Sequence, residues 1–143
     1  MYTSDRTSLR RVFIEAWRKR CMALPMEPLE LLIADVIDRH PEYHDLLENP
    51  DLALEKDYTP EGGETNPFLH LGMHITLHEQ LATDRPSGIA ALYRRLTQQA
   101  VDPHRAQHWL MECLGQALWD AQRSNRVPDE QTYLECVRRL LRR

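Results

Sequence analysis

Residues 66–81 read NPFLHLGMHITLHEQL, and this stretch decides the fold. Asn66 is a helix-capping residue type and Pro67 suits a first helical position, where a missing N–H costs nothing. The strongly apolar run behind them predicts a core helix from Pro67. Asp102–Pro103 repeats the signature ahead of a second apolar run, PHRAQHWLMECLGQALWDAQR (103–123). Between the two, GIAALYRRLTQQAV (88–101) reads as an amphipathic helix after Pro86–Ser87.

Working outward, SLRRVFIEAWRKRCMAL places Leu9, Val12, Phe13, Ala16, Trp17 and Met22 on one stripe, with Ser8 as the expected N-cap. Pro25 closes that helix. Pro28 opens another, which carries Leu29, Leu32, Ile33, Val36 and Ile37 on one face and ends at His40–Pro41. A short helix, PEYHDLLE, is expected to stop at Asn49–Pro50. From there ENPDLALEKDYTPEGGETN reads as one long connection, with Thr59–Pro60 and Gly62–Gly63 as its turn signals and Glu61 and Glu64 delivered next to the histidine helix. A last helix, from about Asp129 to Leu141, turns Tyr133, Leu134, Val137, Leu140 and Leu141 inward and collects arginines at its end.

No stretch reads as a strand. With 143 residues, 42% hydrophobic content and only five glycines, the chain is expected to be all-α: one single-domain helical bundle of about six helices spanning residues 1–143.

The longest apolar stretch, LELLIADVI (29–37), is too short and too interrupted by Glu30 and Asp35 to span a bilayer. The amino terminus MYTSDRTSLR lacks an apolar export region, and three cysteines make an odd count, so a cytoplasmic, reducing setting is expected. Basic residues gather at the two ends: residues 1–24 hold six Lys/Arg against two acids, and residues 85–143 ten against six. Residues 25–84 hold two against fourteen. That acidic middle and the net charge of −4 argue against nucleic acid as a partner.

The chemistry lies in seven histidines. His70, His74 and His78 follow one another at four-residue steps, as do His104, His108 and Glu112, and His40, His44 and Glu48. Residues four apart share a helix face, so two imidazoles one turn apart can aim their nitrogens at one ion. His70, His74, His108 and Glu112 are the primary candidate ligands and His44 an additional one. Together they form an N/O set suited to a divalent transition metal: zinc, iron, manganese or nickel. His40 is expected to lie outside the short helix, and His78 and His104 nearer helix ends and solvated. Glu112 carries weight in this reading because it sits in WLMECLGQALW, where an ionised carboxylate should not be left unpaired. HxxxH alone is a weak motif, and the same histidines can equally serve as hydrogen-bonded packing groups.

Other chemistry finds less support. There is no HExxH, only the fragment His78–Glu79, and PEGGETNP matches no phosphate-binding loop. Cys113 is expected to be buried, with an inert thiol.

The segments HPEYHDLLE, YTPEGGETNPFLHLGMHITLHEQLATDRP and HWLMECLGQALWDAQR resemble a family of small bacterial proteins known as domain of unknown function 1841. The resemblance covers nearly the whole chain and implies a bacterial cytoplasmic setting, with no activity to carry over. More loosely, the histidine-bearing helices are similar to bundles of the DinB and YfiT kind, which hold a divalent metal through three histidines on separate helices. Two functions follow as expectations. One is a metal-binding bundle, whether or not it is an enzyme. The other is a non-catalytic interaction protein or homodimer that uses Trp17, Trp109 and Trp119.

Overall fold

A computed structural model describes residues 2–56, 58, 66–100 and 102–141, with side chains from Thr7 onward. Among these the chain is all-α, with no strand. Its elements are α1 (Tyr2–Cys21), α2 (Pro28–Asp38), a 3-10 turn (Pro41–Tyr43), α3 (His44–Leu47), α4 (Pro50–Glu55), α5 (Pro67–Thr83), α6 (Ile89–Gln99), α7 (Pro103–Ser124) and α8 (Glu130–Leu141). Eight α-helices exceed the expected six or so. One reason is α4, which lies inside the stretch expected to be a connection. Asn49 caps it, its side chain facing Leu52 N at 3.5 Å, and Pro50 fills the first position. This is the Asx–Pro signature again, at a place where proline was expected to stop a helix. Thr59–Pro60, Gly62–Gly63, Glu61 and Glu64 lie outside the described residues.

The two long Asx–Pro starts are present. Asn66 Oδ1 accepts from Phe68 N and Leu69 N at 2.9 and 3.3 Å, and Asp102 Oδ1 accepts from Arg105 N at 2.8 Å. Each satisfies donors that the first helical turn would otherwise leave open. α6 starts differently. Gly88 takes φ of +97°, which glycine adopts without strain, and the Asp84 carboxylate accepts from Gly88 N and Ala90 N. α1 begins six residues before the expected cap at Ser8.

The chain divides into two compact units, Met1–Ile75 and Thr76–Arg143. In the first, α1 packs against α2 and α4. Its core holds Phe13, Trp17, Ile33, Ile37, Phe68 and Leu71. Leu9, Val12 and Met22, placed on the inward stripe by the sequence, are exposed, while Ile14 is buried. Arg10 is also buried. Its guanidinium donates to the carbonyls of Ala53 at 3.0 Å and Lys56 at 2.7 Å and lies 4.7 Å from the Phe68 ring centroid. The orphan carbonyls at the end of α4 are thereby satisfied from α1.

In the second unit, α6, α7 and α8 pack on one another around Leu96, Leu110, Leu114, Leu134 and Val137. Tyr133 is buried, and its hydroxyl donates to Gln80 Oε1 at 2.8 Å. Cys113 on α7 and Cys136 on α8 are joined as a disulfide, leaving Cys21 as the free thiol. Cys113 is buried as expected, but it is half of a disulfide and not a free thiol. An odd cysteine count says nothing against one pair forming, and the pairing removes the cysteine argument for a reducing compartment. Among the described residues, no helix is long and apolar enough to cross a membrane.

Candidate metal centre

The first unit brings together three histidines from two places in the chain. His70 and His74 stand one turn apart on α5, their ring centroids 4.9 Å apart and their planes at 77°. His40 follows α2 and meets both, with centroids 5.1 Å from His70 and 4.7 Å from His74. All three pairs are edge-to-face, and none is stacked. Each ring offers a nitrogen within 4.8 Å of those offered by the other two. His40 and His74 are buried and His70 is half-buried.

Local chemistry explains why His40 is there. The residue before a proline is pushed out of the helical region, and His40, before Pro41, has φ −125° and ψ 69°. α2 therefore ends, and the ring turns back on it. His40 Nδ1–H donates to the Val36 carbonyl at 2.7 Å. Because a carbonyl only accepts, the neutral ring carries its proton on Nδ1 and its lone pair on Nε2. A backbone oxygen that fixes the tautomer is the usual partner of a metal-binding histidine.

The next turn adds a second restraint. Side chains three apart in a 3-10 turn eclipse one another. Accordingly, the Tyr43 ring stacks on His40 with planes 4° apart and centroids at 5.6 Å, and meets His70 edge-on at 6.2 Å. Burial, then Glu42 and Tyr58, push the Tyr43 phenol above its ordinary pKa, so it is neutral at physiological pH.

The expected ligands fare differently. His70 and His74 are brought together as the spacing predicted. His44 faces elsewhere: its Nε2–H donates to the Ile37 carbonyl at 2.9 Å, and its ring lies 4.3 Å from Trp17. His108 belongs to α7 in the second unit, half-buried, with its ring centroid 4.2 Å from that of His104. His104, His108 and Glu112 line one open cleft of about 390 Å³ on that helix. Glu112 is exposed, so the inference that its charge demands compensation is corrected. Its apolar sequence neighbours Leu110, Met111, Cys113 and Leu114 are buried on other faces of the same helix. His78 is half-buried and His104 exposed.

The sequence places His40 in a four-residue stripe with His44 and Glu48 but not among the candidate ligands. The signal was present: a histidine immediately before proline at a helix end, and four residues after a helical carbonyl it can reach.

Three imidazoles converging beside the end of α2 define an all-α protein with a candidate nitrogen-donor metal centre. The chain belongs to the DUF1841 family, described as a domain of unknown function, whose model matches residues 5–139. No curated protein and no solved structure matches it.

Proposed function

We propose that this protein binds one divalent transition metal through His40, His70 and His74. The observation that carries the reading is the convergence of three imidazole nitrogens within 4.8 Å of one another, one of them with its tautomer set by a backbone carbonyl. An all-nitrogen donor set suits zinc, and also nickel, copper or iron, better than magnesium or calcium, which prefer oxygen. Three protein ligands leave a tetrahedral ion one position for water or a further ligand. His108 and Glu112 on α7 and His44 on α3 stay in the proposal as the sequence's further candidates. If water fills the open position, the ion lowers its pKa and a hydrolytic reaction becomes available.

Titration of metal-free protein with zinc or cobalt(II) against a competing chelator tests this. His40→Gln, His70→Gln and His74→Gln should each weaken binding by at least about tenfold. The same experiment with His108→Gln, Glu112→Gln and His44→Gln decides whether those residues take part. Equal affinity in wild type and all three core variants would refute the reading.

A second reading rests on exposed apolar groups. Trp119 is 57% and Leu29 52% exposed, as suits a non-catalytic interaction protein or homodimer. Trp17 cannot serve it, being buried against His44. Sedimentation of wild type and Trp119→Ala or Leu29→Gln would show self-association that depends on these side chains, or none.

A further inference from the structure

We infer that Tyr43 is a positioning residue for the metal centre, one whose ring holds His40 and His70 in the arrangement that accepts the ion. The inference rests on the metal reading above and goes beyond its ligands. An imidazole has two soft torsions, and a site assembled from two segments must restrain both before the ion arrives. His70 and His74 share α5, whose helical geometry sets their spacing. His40 has no helix to hold it, because its backbone, at φ −125° and ψ 69°, has left the helical region.

Two contacts replace the helix. One is the bond from Nδ1 to the Val36 carbonyl, which fixes the tautomer and one direction of the ring plane. The other is the Tyr43 face, parallel to His40 within 4°. A hydrogen bond in the ring plane still allows the ring to tilt about it, whereas a stacked neighbour blocks that tilt. Tyr43 also presents itself to His70 edge-on, so it touches one ligand from each segment. The 3-10 turn enforces the stack, with Tyr43 N donating to the His40 carbonyl at 2.9 Å. On its other side Tyr43 lines an open cleft of about 530 Å³ with Leu46, Leu52, Lys56 and Tyr58. Hydrogen-bonded partners of ligating histidines typically change metal affinity by about 10- to 100-fold, and that sets the scale expected of this restraint.

The test compares wild type, Tyr43→Phe and Tyr43→Leu in three readouts: cobalt(II) affinity by chelator competition, the visible spectrum of the cobalt form, and the melting temperature of the metal-free protein. Phe keeps the face and should bind within about threefold of wild type with the same spectrum. Leu should bind about 10- to 100-fold more weakly with shifted bands, by more than any change in metal-free stability explains. Should Tyr43→Leu fail to fold, Tyr43→Met replaces it with the same expectation. A non-aromatic variant with wild-type affinity and spectrum overturns the inference while leaving the metal site standing. So does a Phe variant as weak as Leu, since the hydroxyl would then be the active part. Wild type that takes up no cobalt removes the metal reading itself, and this inference with it.

Discussion

His40 approaches His74 with ring centroids 4.7 Å apart and planes at 61°, one ring following α2 and the other in the middle of α5. Both imidazoles are buried, and they meet edge to face. They present edges, and the edges carry the nitrogens. His70 completes the arrangement from the same face of α5.

The frame that carries this group depends on Arg10. It is 3% exposed and ties α1 to the terminal carbonyls of α4, beside the Phe68 ring two residues before His70. Arg10→Met keeps much of the volume but strands those acceptors. The expected cost is about 2–4 kcal/mol in urea denaturation, because a buried group that loses its partner bears its full desolvation. A cost below about 0.5 kcal/mol would mean that water replaces the guanidinium.

Much of the fold was legible because turn chemistry is local. Asn66–Pro67 and Asp102–Pro103 announced α5 and α7 from two residues each, and the caps are in place. Asn49–Pro50 carries the same chemistry, but a proline directly after a short helix reads equally as its stop. There it begins α4. The candidate site was half legible. Four-residue spacing found His70 and His74, since one helix fixes that geometry. Spacing paired His40 with His44 and could not bring it to His70 and His74, because its place depends on how α2 ends and which carbonyl its ring reaches. It also gave Glu112 too much weight, because sequence neighbours on a helix point in different directions.

The start of α6 makes part of the stability pH-dependent. Backbone N–H groups of Ala90 and Gly88 hold the Asp84 carboxyl below the ordinary aspartate value of about 3.9. A depressed carboxylate contributes fully above its unfolded pKa and loses that contribution as pH falls through the folded one. Asp84→Asn should therefore melt below wild type at pH 6–7, with the gap closing below about pH 4. A gap that stays constant from pH 7 to pH 2 would contradict the assignment.

The bond between Cys113 and Cys136 closes a loop across α7 and α8, with 23 residues of separation. Restricting the unfolded chain over such a loop is worth roughly 3 kcal/mol. Replacing both cysteines by serine should lower stability by about that much under oxidising conditions, and strong reductant should bring wild type toward the variant. Wild type and variant of equal stability without reductant would show that the bond contributes nothing.

The most direct test of the central claim is elemental analysis of the protein purified without a histidine tag, together with His40→Ala and His74→Ala. The account predicts about one transition-metal ion per chain in wild type and a large loss in both variants, His40→Ala included. No bound metal in wild type, even after incubation with zinc, nickel or iron followed by desalting, would contradict it.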